Sequence, residues 1–113
     1  MLDFIKAVDA EWVLIENVPP MLTVKLDDGR IDGQYIIETL KSWGYYVDSG
    51  IQSAADFFTP QDRKRAIILA HKNKPWLLPE PYAEKITLRD AIGDLPSLEA
   101  GMSSNIKWHY APT

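Results

Sequence analysis

The chain has 113 residues, of which 46% are hydrophobic and 25% charged, with a formal net charge of −4 at pH 7. These proportions are typical of a soluble globular domain, and no apolar run approaches the roughly 20 residues of a membrane-spanning helix. We therefore expect a cytoplasmic protein. The chain contains no cysteine, which excludes disulfides, thiolate metal sites and a cysteine nucleophile within these residues. The two histidines lie far apart, so we expect no metal site.

The first part of the chain carries a helix signal followed by a strand signal. Residues 2–8 place apolar side chains on one helical face. Residues 12–15 form a continuous apolar run of strand length, with apolar side chains on both faces, which is typical of a buried parallel strand. Pro19 and Pro20 end this strand because proline cannot donate to a sheet ladder.

A second helix is predicted over residues 33–43, with Asp32 as its N-cap and Gly44 after its last turn. Residues 45–47 begin a second strand that frays at its end, and residues 64–70 form a third, stronger strand. The order helix, strand, helix, strand, strand indicates the end of a wound α/β sheet. The apolar residues expected to pack together are Ile15, Ile36, Leu40, Trp43, Ile67 and Leu69.

The composition changes after residue 72. Pro75, Pro79 and Pro81 predict an extended connector, and Thr87 with Asp90 three positions later predicts the capping box of a short helix that ends near Gly93. Residues 97–113 carry no periodicity and are interpreted as a linker.

Glu16 and Asn17 stand at the carboxyl end of the first predicted strand. In wound α/β sheets, ligands bind just outside the carboxyl ends of strands, so a carboxylate there faces the ligand crevice. The alternative is a solvated strand end followed by an asparagine turn, and three residues do not decide between the two.

A basic segment leads into the third predicted strand. Alternation along a strand would place Gln61, Arg63 and Arg65 on one side and Lys64 on the other. Two guanidinium groups and an amide on one face can bind a phosphate or a carbonyl edge. The alternative is a charged strand start that only keeps the sheet soluble.

Taken together, the two motifs resemble those of the DNA (cytosine-5) methyltransferases. Glu16-Asn17-Val18 is similar to the family's Glu-Asn-Val motif. Residues 54–57, Pro60-Gln61 and the Arg63/Arg65 pair are similar to its Gln-x-Arg-x-Arg region, and residues 87–96 are similar to the segment before its target-recognition region. Nearly the whole chain is covered, in order.

The chain also departs from the family pattern. Phe58 stands where the family commonly has glycine, and Pro19-Pro20 is stiffer than the usual turn. The family's Phe-x-Gly-x-Gly cofactor loop and its Pro-Cys nucleophile do not occur in these 113 residues. We therefore expect a fragment: either one half of a natural split enzyme, or a truncated frame or excised piece. The isolated chain is expected to be inactive.

The resemblance implies an α/β fold, namely the C-terminal part of a Rossmann-like methyltransferase with a mixed sheet of about three strands and about two or three helices. It implies a partial catalytic domain over residues 1–96, with residues 97–113 as a linker toward a target-recognition region. The implied methyl donor is S-adenosylmethionine and the implied substrate is double-stranded DNA.

The resemblance also implies roles for individual residues. Glu16 and Arg65 would be catalytic, holding a flipped-out cytosine by its ring nitrogen 3, its amine and its carbonyl oxygen. Asn17, Gln61 and Arg63 would support substrate binding, with Asn17 mainly fixing the turn. Burial among apolar residues would favour the protonated form of Glu16. Glu16 and Arg65 must converge from opposite strand ends, which predicts antiparallel neighbours.

Two partner hypotheses and one rival function remain open at this stage. The fragment would associate with a complementing N-terminal half or with itself, because it would expose a sheet edge. The rival is a small α/β binding module, without catalytic ancestry, that uses an Arg63/Lys64/Arg65 patch to bind nucleic acid or an acidic partner.

Overall fold

A computed structural model describes residues 1–102; residues 103–113, most of the predicted linker, lie outside the described part. The elements in chain order are α1 (Leu2–Val8), β1 (Trp12–Asn17), α2 (Pro20–Thr23), α3 (Asp32–Ser42), β2 (Tyr46–Ser53), a 3₁₀ turn (Ala54–Phe57), β3 (Lys64–His71) and α4 (Leu88–Ile92). The predicted α/β class is confirmed. None of the helices in residues 1–102 is long and apolar enough to cross a membrane.

The described strands form one three-stranded sheet in the order β1-β3-β2, and β3 pairs antiparallel with both neighbours. The parallel β1 indicated by its apolar run was therefore wrong, and the described sheet has antiparallel pairs where a mixed sheet was expected. The antiparallel neighbours predicted from the convergence of Glu16 and Arg65 are confirmed. Val13 and Ile15 are buried, whereas Trp12 and Leu14 are 49% and 60% exposed. The apolar run of β1 thus hides only one face, as antiparallel strands commonly do.

The core lies between one face of the sheet and the helices. Its buried residues are Ile5, Val13, Ile15, Ile36, Leu40, Tyr45, Ile68 and Ala70, with Trp43 packed at its border. Ile15, Ile36 and Leu40 were predicted correctly. Leu69 is buried as predicted, with 4% exposure, but it lies with Ile67 on the opposite face of the sheet. Successive strand residues point to opposite faces, and Ile68 occupies the core side.

The helix α3 begins and ends almost where the sequence predicts, but its N-cap differs. The N-cap residue is Ile31, which makes no side-chain capping bond, and Asp32 is already helical. The Asp32 carboxylate instead accepts an ion pair from Arg30 at 3.2 Å. At the other end Gly44 has φ +91°, so the predicted left-handed glycine is confirmed.

A short helix, α2, was not predicted and packs tightly on α3. It begins with Pro20, a favoured residue for a first helical position because its missing N–H would be unpaired there anyway. A Cβ on Gly33 would lie 2.6 Å from a Leu22 side-chain carbon and 2.8 Å from the Met21 carbonyl oxygen. Gly33 therefore permits the close approach of these two helices.

The strand β2 extends to Ser53 instead of fraying at its end. Each of its residues pairs in register with β3, from Tyr46 opposite His71 to Ser53 opposite Lys64. The central strand supplies the hydrogen-bond partners, so pairing overrides the weak strand propensity of Asp48 and Gly50.

The second face of the sheet is partly covered by the connector, residues 75–82. The Trp76 ring packs edge-on against Trp12 at 5.0 Å between centroids. The Leu78 amide donates to the Asp48 carboxylate at 2.8 Å, and the Pro79 carbonyl accepts from a Gln52 side chain. An extended segment thus covers part of the face that carries Ile67 and Leu69.

Beyond the connector, the predicted capping box of α4 is confirmed. The Thr87 hydroxyl accepts from the Asp90 amide at 3.1 Å, and the Asp90 carboxylate accepts from the Thr87 amide at 2.9 Å. The hydrogen bond from the Thr87 backbone amide, and after it the interaction with the Thr87 side chain, lower the pKa of the Asp90 carboxyl. The box therefore holds the first turn of this short helix.

Phe58 follows the 3₁₀ turn in a left-handed conformation, with φ 59° and ψ 26°. A residue with a Cβ is strained in this conformation, whereas glycine adopts it without penalty. The Phe58 ring packs against Tyr82 with 4.6 Å between centroids, so it helps to hold the end of the connector. The side chain thus offsets part of the backbone strain.

Replacing Phe58 should separate these two effects. Phe58→Ala and Phe58→Gly both lose the Tyr82 contact, but only glycine relieves the left-handed strain. The free energy of unfolding of Phe58→Gly should therefore exceed that of Phe58→Ala by about 1 kcal/mol. Urea denaturation of both variants measures the difference. Equal stability, or a more stable alanine variant, would contradict a strained Phe58.

Candidate functional site

Glu16 and Arg65 meet at the edge of the sheet where β1 ends and β3 begins. The Arg65 Nε lies 2.8 Å from the Glu16 Oε1, and a second guanidinium nitrogen of Arg65 donates to the Lys64 carbonyl oxygen at 2.9 Å. The antiparallel register, with Glu16 opposite Ile67, places both side chains on the same face of the sheet. The predicted convergence of these two residues is confirmed.

The ion pair forms one wall of an open cleft of about 230 Å³. The other walls come from the end of β2, the 3₁₀ turn and the segment before β3. Residues lining this cleft are Glu16, Gln52, Ser53, Ala54, Phe57, Arg63, Arg65 and Ile67. Two guanidinium groups and one carboxylate give the cleft one positive charge beyond the neutral pair. We call it the Glu16–Arg65 cleft.

The structure brings Arg63 to the cleft but not Asn17 or Gln61. Asn17 Oδ1 accepts from the Val18 amide at 2.8 Å, so this side chain shapes the turn after β1. Gln61 lies before the first residue of β3 and lines a different cleft with Lys85. The predicted alternation fails at Gln61 because residues 59–62 bend and do not extend the strand.

The basic segment does not form one continuous patch. Arg63 and Arg65 line the Glu16–Arg65 cleft, whereas Lys64 lines the cleft that also contains Gln61. Arg65 is in addition neutralised by Glu16. Arg63, Lys64 and Arg65 therefore do not form a single surface for an acidic partner.

The expected desolvation of Glu16 is absent from the described structure. Its side chain is 52% exposed, and the Arg65 side chain is 27% exposed. β1 lies at an edge of the described sheet, so water reaches the end of the strand. A pair with this exposure contributes little to stability, about 0–1 kcal/mol for surface ion pairs.

The arrangement can recognise a planar group that carries both donors and acceptors. The carboxyl of Glu16 can accept from an amine and, when protonated, donate to a ring nitrogen. The guanidinium of Arg65 can donate to a carbonyl oxygen in the same plane. A ring cannot lie between atoms 2.8 Å apart, so its entry requires the ion pair to open.

Sequence reasoning missed Gln52 and Phe57 as cleft residues. Gln52 lies in the stretch of β2 that was expected to fray, and its Cα is the register partner of Arg65. Phe57 belongs to the stretch 54–57 that resembles the family, but no residue pattern there indicates the 3₁₀ turn that brings its side chain to the cleft. If the pairing of β2 with β3 had been known, the residue opposite Arg65 could have been identified as Gln52.

A family model for C-5 cytosine-specific DNA methylases matches residues 1–111. The Type II methyltransferase M1.HgaI of Avibacterium volantium is 40% identical over 113 residues, covering 97% of this chain and 31% of its own length. M.MthTI of Methanothermobacter thermautotrophicus is 33% identical, and the match covers 92% of this chain and 32% of M.MthTI. M1.HphI of Haemophilus parahaemolyticus is 34% identical, and the match covers 95% of this chain and 28% of M1.HphI.

The α/β fold, the two motifs and these matches agree, and the chain belongs to the C-5 cytosine-specific DNA methylase family. It spans about a third of the length of the curated relatives it matches. This family membership excludes the rival hypothesis of a binding module that shares only the sheet topology.

The Glu16–Arg65 pair should be nearly dispensable for folding. Glu16→Gln keeps the shape of the side chain and removes its charge, so the free energy of unfolding should fall by less than about 1 kcal/mol. Asp32→Asn is the matched control, because it removes the Arg30–Asp32 pair of comparable exposure. Chemical denaturation of both variants makes the comparison. A loss above about 2 kcal/mol for Glu16→Gln alone would mark the pair as structural.

Proposed function

We propose that this chain supplies the base-holding part of a DNA (cytosine-5) methyltransferase of a restriction-modification system. The single observation that carries the proposal is the contact of 2.8 Å between Glu16 and Arg65 across β1 and β3, at the wall of an open cleft. The names of its Type II relatives support the system.

The proposed roles follow from the chemistry of cytosine. Nucleophilic attack at carbon 6 makes the ring electron-rich, and that charge must be stabilised. The protonated Glu16 would donate to ring nitrogen 3 while its other oxygen accepts from the exocyclic amine. Arg65 would donate to the carbonyl oxygen of the base. Arg63 would hold the neighbouring phosphate or backbone, and Asn17 would keep the strand end in place.

Gln61 keeps a supporting role in this proposal, away from the base. It lies in the cleft beside Asp62 and Lys85, in the approach to α4. A contact with the DNA backbone or with a neighbouring loop fits this position better than a contact with the base in the Glu16–Arg65 cleft.

S-adenosylmethionine is the methyl donor in this proposal, and it supplies the methyl group for carbon 5. The family's Phe-x-Gly-x-Gly loop and the nucleophilic cysteine do not occur in these 113 residues, so no cofactor contact is assigned to this chain. The intact enzyme would act on double-stranded DNA in the cytoplasm. Residues 1–96 would form part of its catalytic domain, and residues 97–113 would lead to the region that reads the DNA sequence.

The exposed edge of β1 is the proposed site for a complementing segment. In the described sheet β1 pairs on one side only, and Trp12 and Leu14 stand exposed on its outer face. The relatives are about three times as long as this chain, so a strand from the rest of such a protein has a free ladder to join. Self-association through the same edge is the alternative for the chain alone.

Activity should appear only when the rest of the enzyme is present. The 113-residue chain with tritiated S-adenosylmethionine and mixed DNA should give background counts, because it contains no cysteine. A chimera in which this chain replaces the matching segment of M1.HgaI should methylate DNA. Glu16→Gln in the chimera should lower kcat by about 10²–10⁴, the usual contribution of general acid catalysis.

The control in the chimera is Asp32→Asn, which lies at the start of α3 and should leave kcat unchanged. Arg65→Met should also lower kcat, because it removes the donor to the base. Activity within about twofold of the parent for Glu16→Gln would refute its role as an acid. Methyl transfer by the chain alone would refute the assignment of the missing parts.

The chain alone should self-associate through the β1 edge. Light scattering at tens of micromolar, on the order of ordinary weak interfaces, should report a dimer or larger species. Leu14→Lys should weaken association by placing a charge on the outer face of the edge strand. Leu77→Lys is the control, because Leu77 is also exposed, at 70% against 60% for Leu14, but lies outside the sheet. A monomer at every concentration would contradict this use of the edge.

A further inference from the structure

The connector is fixed to the second face of the sheet at several points along its length. Leu78 donates its amide to Asp48 at 2.8 Å, and its side chain lies over Gly50, where an added Cβ would be 3.1 Å from it. The Tyr82 amide donates to the Asp56 carbonyl oxygen at 2.9 Å. Between these points the Gln52 side-chain Nε2 donates to the Pro79 carbonyl oxygen at 2.9 Å.

Gln52 is the polar anchor that also belongs to the Glu16–Arg65 cleft. It lines the cleft, and its Cα is the direct register partner of Arg65 on the neighbouring strand. Side chains of register partners point to the same face about 5 Å apart, so Gln52 and Arg65 share one surface. Asp48 also holds the connector but does not line this cleft.

We propose that Gln52 is a positioning residue that couples the cleft to the connector. One amide group joins the wall of the cleft to the backbone that leads toward the downstream chain. The position of a group bound in the cleft is then fixed relative to the end of the connector at residue 82. The inference rests on the proposed function for the identity of that group, a cytosine ring, whereas the tether itself needs no substrate.

Amide exchange of the connector in the 113-residue chain tests the tether. Gln52→Met keeps the side-chain length and removes the donor, and exchange of the Leu78 amide should rise roughly three- to tenfold, as for the loss of one hydrogen bond. Gln34→Met, exposed on α3, is the matched control and should change nothing. Gln52→Lys restores a donor within reach of Pro79 and should restore slow exchange.

Two results would overturn the tether. One is exchange at Leu78 in Gln52→Met that equals the Gln34→Met control. The other is a Gln52→Lys variant that exchanges as fast as Gln52→Met, since the role would then be packing and not donation. If Gln52→Met does not fold, Gln52→Glu removes the donor while keeping a polar surface, and the same comparison applies.

The coupling is tested by loosening the connector outside the cleft. Trp76→Ala removes the contact with Trp12 and should speed solvent exchange of the Arg65 Nε–H roughly twofold or more, a measurable non-additive effect between linked residues. The effect should vanish when Gln52→Met is also present. Equal acceleration in both backgrounds would show that the coupling does not pass through Gln52. Neither experiment involves methyl transfer, so its failure is distinct from failure of the chimera.

Discussion

Antiparallel pairing of β3 with strands on both sides is the constraint on which the other features depend. It places the end of β1 beside the start of β3, so that Glu16 and Arg65 approach within 2.8 Å although 48 residues lie between them in the sequence. It also brings Gln52 of β2 opposite Arg65, so that β2 forms the wall of the cleft on the side away from β1. A one-residue shift of either register would send these side chains to the core face.

The Glu16–Arg65 ion pair is partly exposed to solvent. Glu16 is half exposed and Arg65 about a quarter exposed, so separating them costs little, about 0–1 kcal/mol. A fully buried pair would cost several times as much to open, because each charge would lose its partner in a medium of low polarity. Exposure at the open edge of β1 therefore makes this ion pair easy to separate.

The second face of the sheet links this cleft to the rest of the chain. An extended connector covers it by hydrogen bonds to Asp48 and Gln52 and by aromatic contacts at Trp76 and Tyr82. The strained Phe58 contributes to the same attachment. The connector from Trp76 to Tyr82 is thus held at successive points.

The sequence by itself determined the α/β class, the three strand segments, the α3 helix with its terminal Gly44, the α4 capping box and the Glu16 and Arg65 pair. These are encoded by local periodicity, by turn residues and by the two family motifs. The apolar pattern of β1 indicated a parallel strand, and only the convergence of Glu16 and Arg65 implied by the family motifs predicted the antiparallel pairing that the structure has. Only the tertiary structure decided the full length of β2 and the placement of Gln52 in the cleft. Strand pairing joins residues distant in sequence, so neither a partner's register nor the solvent exposure of Glu16 is encoded in the local pattern.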